Sequence, residues 1–158
     1  MRLVTTGPET LQRAPVRTVR VEAATLPPPG HQVASLGWTA GGPDPIADAV
    51  ARGLVARGYQ PAQGTDADLV AVYAVGTRTR PHIPYQQDST GSMTDQPTTQ
   101  DGAFAYTERT VSLELVDARS GAVLWSGTAS ETLSLRAAVD ATHAVAAVNE
   151  LLSRLPQK

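Results

Sequence analysis

The stretch Thr110–Ser130, TVSLELVDARSGAVLWSGTAS, constrains the fold of this chain more than any other. Val111, Leu113 and Leu115 alternate with Ser112 and Glu114, the period-two pattern of a strand that buries one face. Asp117-Ala118-Arg119-Ser120-Gly121 follows as a turn. An aspartate carboxylate accepts backbone N–H groups at the first position, and glycine takes a positive φ at the last. The return strand runs from Val123 to Ala129. The turn reads as a type I turn closed by a glycine bulge. If Leu115 faces Trp125, then Leu113 faces Gly127 and Val111 faces Ala129. A slip of one residue would turn every side chain to the other face. In this register the Trp125 indole has small neighbours along its own face, so it is expected to be buried between the sheet and a helix.

The remaining elements follow from pattern and punctuation. Residues 1–14 read as a flexible, polar lead-in to a single domain over residues 15–158. Val16 to Val21 alternates as a first strand. Pro27-Pro28-Pro29-Gly30 forces a turn, because consecutive prolines cannot continue a ladder. His31 to Trp38 reads as a second strand. Asp44-Pro45 starts a helix, with the aspartate as cap and proline at the first helical position. Ile46, Ala49, Val50, Gly53 and Leu54 form its apolar stripe, and Gly58 ends it in a left-handed conformation. Gly53 inside that stripe costs about 1 kcal/mol against alanine, which implies close approach to the sheet as compensation.

Leu69 to Val75 is continuously apolar and reads as an interior strand. Residues 80–102 carry no periodicity and many Pro, Ser, Thr, Gln and Asp residues, the composition of a long flexible loop. Mobility is expected over Gln86 to Gln100, where Met93 is the one large apolar side chain. A C-terminal helix begins between Leu135 and Asp140, carries Ala141, Val145, Val148, Leu152 and Leu155 on one face, and stops at Pro156. The fold class is α+β: an antiparallel-rich sheet with the Asp44–Arg57 and Asp140–Arg154 helices packed on one face.

Composition narrows the function classes. At 158 residues and 41% hydrophobic content, the chain is long enough for one domain with a substantial core. Net charge is −2, and no basic run interleaves with aromatic residues, which disfavours nucleic-acid binding. No apolar run approaches the twenty residues or so that span a bilayer, and the N-terminal residues do not read as a signal peptide. Cysteine is absent, which removes disulfides, thiolate nucleophiles and thiolate metal sites together.

Candidate chemistry is sparse. His31, His82 and His143 fall in a strand, a loop and a helix without metal-ligand spacing. Asp66 and Asp68 could act as a carboxylate pair, but such a pair before a strand more often solvates its start. Asp88, Asp95 and Asp101 lack the close one-three-five spacing of a calcium loop. Gly41-Gly42-Pro43-Asp44-Pro45 resembles an anion cradle, yet Pro45 removes a donor and Asp44 repels anions. Gly91-Ser92 lacks the nucleophile elbow, and Ser126-Gly127 lies inside a strand. The expectation is no catalytic, cofactor-binding or metal residue, no cofactor, and no enzymatic activity.

The order of these segments resembles a family of bacterial cell-envelope lipoproteins known only as a domain of unknown function. The matching residues are Ser35-Leu36-Gly37-Trp38, then Arg57-Gly58-Tyr59 at a helix end, then the strand Ala67-Asp68-Leu69-Val70-Ala71-Val72-Tyr73. The hairpin Leu115 to Ala129 carries the strongest likeness, and Leu151-Leu152-Ser153-Arg154-Leu155-Pro156 closes the pattern. The resemblance implies a domain on the periplasmic side of the envelope, in many members anchored to the outer membrane through a lipidated cysteine. That cysteine is missing from this chain, so a membrane link would run through an anchor outside it. The family supplies no catalytic residues to carry over. The expected function is a non-enzymatic module that binds an envelope protein or component and no nucleic acid. The alternatives are a small-ligand carrier, with a pocket between sheet, helices and long loop, and last a hydrolase.

Overall fold

The computed structural model describes residues 1–33, 44–62, 64–82, 104–133 and 141–158. The hairpin organises it. β6 (Phe104–Asp117) and β7 (Val123–Leu133) pair antiparallel, with Leu115 opposite Trp125, Leu113 opposite Gly127 and Val111 opposite Ala129. The register therefore matches the one read from alternation. In the turn, the Gly121 N–H donates to the Asp117 carbonyl at 2.9 Å, and Gly121 has φ +72°. The Asp117 carboxylate accepts from the N–H groups of Arg119 and Ser120.

β5 (Leu69–His82) pairs with β6 over fourteen positions, from Leu69–Asp117 to His82–Phe104. It is an interior strand, as its apolar run implies, but it runs on through residues 80–82, which the sequence pattern gives to a loop. On its other side β5 borders β2 (Thr18–Ala23) through Tyr73, then β3 (Gln32–Val33) at Gly76 and Thr77. The expected second strand over His31 to Trp38 is thus seen at Gln32–Val33, and its continuation lies outside the described residues. So does the segment Gln86 to Gln100.

The sheet order is β1-β7-β6-β5-β2-β4, with β1 (Arg2–Thr6) and β4 (Gln60–Pro61) at its edges. The α+β class holds, but the sheet is mixed rather than simply antiparallel-rich: β2 runs parallel to both β4 and β5. The cause is the crossover through α2 (Pro45–Ala56), which returns the chain to the end from which β2 started.

Residues 1–14 depart from the flexible lead-in expected of them. β1 adds to β7 in antiparallel register, Arg2–Ser130 to Thr6–Ser126, and α1 (Pro8–Arg13) buries Leu11 completely. A five-residue strand and a six-residue helix are too short to register by periodicity, and both draw their order from tertiary partners. The far end of the chain contributes. The Lys158 ammonium donates to the carbonyls of Leu11 and Ala14 at 2.7 and 2.5 Å, capping α1 where its carbonyls lack helical partners.

α2 begins as its sequence dictates. Asp44 Oδ1 accepts from the N–H groups of Ile46 and Ala47, and Pro45 occupies the first turn. Gly58, at φ +94°, follows its end. Gly53 is a correction: a Cβ there would collide with Leu152 Cδ1, so the close approach is to α3 (Ala141–Ser153), not to the sheet. α1, α2 and α3 all contribute to one core with a single face of the sheet: Leu69, Ala71 and Tyr73 of β5, Val111, Leu113 and Leu115 of β6, Trp125 and Ala129 of β7. Trp125 is 1% exposed. Its ring lies over Gly127, where a Cβ would come within 2.6 Å of Cη2 and 3.0 Å of Leu151 Cδ2.

Candidate binding surface

Alternation along β5, β6 and β7 gives the sheet a second face with a different chemistry. Ser112 on β6 and Ser126, Thr128 and Ser130 on β7 point away from the helices, because their neighbours Val111, Trp125, Gly127 and Ala129 point toward them. Thr6 on β1 joins them, and its hydroxyl lies 2.6 Å from that of Ser126. Thr110 and Ser130 share a hydrogen bond of 2.9 Å. The result is a field of short hydroxyl side chains across three adjacent strands, of which Ser112, Ser126, Thr128 and Ser130 are half-buried and Thr6 exposed.

Two features bound this field. On one flank the Pro27–Gly30 turn folds over β5: a Cβ at Gly76 would meet Pro28 Cδ at 2.8 Å and His31 Cβ at 2.6 Å. Gly76 is therefore the residue that lets the arch close on the strand. At the end toward the β5 terminus, Arg78 Nη2 donates to Glu108 Oε1 at 2.7 Å and Arg80 Nε to Glu108 Oε2 at 3.2 Å. Arg2, Arg78, Arg80 and Glu108 line a cleft of about 350 Å³ together with the β7 hydroxyls.

The opposite, helix-covered face ends in a buried charge. Arg109, 1% exposed, donates through Nη2 to Glu131 Oε2 at 2.5 Å, while its Nη1 has no partner among the described residues. The cross-strand position Arg109–Glu131 continues the apolar columns of β6 and β7, so this ion pair closes the core at that end.

The residues singled out for chemistry fall apart in space. His31 sits in the proline arch with Nδ1 2.9 Å from the Pro29 carbonyl, His82 ends β5, and His143 is exposed on α3. Among the described residues no three His, Asp or Glu side chains gather as a metal site. Asp68 is a staple of the fold: Oδ2 accepts from the N–H groups of Arg17 and Thr18 at 3.0 and 3.2 Å, and its own N–H donates to the Thr18 hydroxyl. Those backbone donors hold its carboxyl below the usual carboxylate range. Asp66 lies in an exposed turn beside it and faces no such donors. Asp44 serves the helix cap and also accepts from the Tyr73 hydroxyl, which burial and this carboxylate hold in its protonated form. Asp88, Asp95, Asp101, the Gly41–Pro43 turn and Gly91-Ser92 lie outside the described residues. Ser126 belongs to the open face, hydrogen-bonded to Thr6.

What sequence reading did not supply is the set of residues that make up the open face. Its signal was present as alternate Ser and Thr in TVS and SGTAS, but the partner strand β1 and the arginines of β5 come from distant segments.

Three solved structures share this fold. A PelC dodecamer from Paraburkholderia phytofirmans, a point variant of that protein, is 21% identical, with a TM-score of 0.53 over 99% of both chains. A second PelC dodecamer from the same organism gives 20% identity and a TM-score of 0.52, over 99% of this chain and 98% of that one. A PDZ domain protein from Parabacteroides distasonis aligns at 12% identity and a TM-score of 0.51, over 94% of this chain and 34% of the other. At these identities the likeness is one of fold. No curated protein matches the chain. Residues 43–157 match the family described as a domain of unknown function, DUF4136, and the chain belongs to that family.

Proposed function

We propose that this chain is a non-enzymatic module of the bacterial cell envelope, working on its periplasmic side and binding a protein or another envelope component. One observation carries the reading: among the described residues, the part of the open face formed by β6, β7 and β1, and one edge, carry no covering element. The face is the hydroxyl field. The edge is β1, whose outward backbone groups pair with no strand among the described residues. It contains no proline, and Val4 on it is 46% exposed. The opposite edge is blunted, since β4 is two residues long and includes Pro61. Asymmetric edges of this kind favour addition of a partner strand at β1.

The resemblance to envelope lipoproteins supports the location, with outer-membrane anchoring as the tethered form. A second reading, self-association, draws on the PelC structures, which are dodecamers. A second copy is then one of the partners the β1 edge could take. The small-ligand carrier is less well supported, because the Arg2–Arg80 cleft is polar and open and the core beneath the helices is filled by Trp125 and its neighbours.

The test is capture from bacterial envelope extract with the wild-type chain and with Thr5→Pro, which removes a backbone donor that points outward from the edge, alongside light scattering for oligomer size. Specific capture or assembly lost in the variant supports the reading. Capture and oligomer size both unchanged by Thr5→Pro, or substrate turnover by the purified chain, would overturn it.

A further inference from the structure

The open face deepens at one end into a trough. Arg2 of β1 forms one wall and Arg78 and Arg80 of β5 the other, with Glu108 between them and Ser130 and Thr132 on the floor. The walls stand three strand spacings apart, about 14 Å. That width admits a flat, ribbon-like ligand lying along β6 and β7, and the short floor side chains leave room for it.

The charges in the trough do not cancel. Among the described residues, the guanidinium groups of Arg2, Arg78 and Arg80 line the trough with Glu108, whose two carboxylate oxygens are both taken, one by Arg78 and one by Arg80. Glu131 at the rim is turned to Arg109 and neutralised there. Each guanidinium carries five N–H donors, so one carboxylate leaves most of them unused. Arg78 Nε has no hydrogen-bond partner among the described residues. An unpaired donor beside an open cleft marks a place for an acceptor, and a planar fork fits a carboxylate or phosphate.

Resting on the binding-module reading, we infer that this trough is a subsite for an acidic saccharide. Its carboxylate or phosphate oxygens accept from Arg78 and Arg80, and its hydroxyl groups exchange hydrogen bonds with Ser130 and Thr132. The apolar contribution of the lining comes from Val4, which suits the C–H face of a sugar ring and is far too little for an acyl chain.

Calorimetric titration of the full chain with trigalacturonic acid, galactotriose and inorganic phosphate tests the assignment. The acidic trisaccharide should bind at least about tenfold more tightly than the neutral one, and more weakly as salt rises. Arg80→Gln, at a side chain 43% exposed, should weaken it by about tenfold with the fold intact by circular dichroism. Glu108→Gln should tighten it, because the competing carboxylate is gone and both guanidinium groups turn to the ligand. A merely structural Glu108 could not produce that gain. Equal binding of the neutral sugar, inorganic phosphate bound as tightly as the trisaccharide, or a folded Arg80→Gln with unchanged affinity would overturn the inference. If envelope capture persists while no saccharide binds, this subsite falls and the binding-module reading stands.

Discussion

The two faces of one hairpin differ more than any two distant regions of this molecule. Val111, Leu113, Leu115, Trp125 and Ala129 face the helices and are at most 2% exposed. Ser112, Ser126, Thr128 and Ser130 stand one residue away in sequence, face outward and remain half-buried at most. The first set is specified by packing, where a single misplaced methylene is felt. The second rests on a ladder that the first set already holds in place, so its side chains are free to be chosen for recognition. Under the proposed function, stability and binding are interleaved along the same strands rather than assigned to separate parts of the chain.

Trp125→Ala should break the covered face most severely. It removes the largest fully buried side chain among the described residues and leaves a cavity above Gly127, at a cost of about 3–5 kcal/mol by denaturant unfolding. Its Nε1 donor is buried without a partner among the described residues, which places the loss toward the lower end of that range. Ser126→Ala, one residue on, should change stability by no more than about 0.5 kcal/mol. Similar values at the two positions would dissolve the distinction between the faces.

Gly53→Ala probes the seam between α2 and α3 behind the covered face. The added methyl must displace Leu152, whose Cδ1 stands where the Cβ would go. Overpacking of this kind costs about 1–3 kcal/mol, against a helix-propensity gain of about 1 kcal/mol. A net loss is expected in thermal and denaturant unfolding. A net gain would mean that Leu152 swings aside and that the seam is looser than the sheet-facing core.

Much of the covered face is legible in the sequence because each signal there is local. Asp44-Pro45 carries its own cap chemistry, the alternation of Val111, Leu113 and Leu115 declares the covered side of β6, and the Leu69 to Val75 run declares an interior strand. What stays hidden depends on residues far apart. The parallel placement of β2 is decided by the α2 crossover, and the order of residues 1–14 by β7 and Lys158. Gly53 is visible as an exception within an apolar stripe, but whether helix or sheet approaches it is a tertiary fact. The trough is hidden for the same reason, since Arg2, Arg78 and Glu108 meet only once four strands have aligned.

Asp68 joins strands β2 and β5 beneath both faces, and it should show in the acid limb of stability. Its folded-state pKa is depressed, first by the backbone N–H groups of Arg17 and Thr18. A carboxylate with a lowered pKa contributes stability above its unfolded value, about 3.9, and loses it as pH falls through the folded value. Asp68→Asn should therefore be less stable than wild type at neutral pH, with the difference shrinking below about pH 4. A difference that stays constant across the acid range would place the role of Asp68 in shape rather than charge.

The smallest expected effect sharpens the comparison from the open side. Thr6 and Ser126 share a 2.6 Å hydrogen bond between exposed and half-buried hydroxyls, at the junction of β1 and β7. Each hydroxyl exchanges a water partner for the other, so their net coupling should be small. A double-mutant cycle with Thr6→Val and Ser126→Ala should give about 0.5 kcal/mol or less, within the range of cross-strand hydroxyl pairs. The β1 backbone ladder, five register positions long, does not depend on these side chains. A coupling of about 2 kcal/mol, approaching the scale of the covered face, would show that β1 is held by its hydroxyls. In that case the outward residues would be structural at this edge, and the field available to a ligand would narrow to Ser112, Thr128 and the arginine trough.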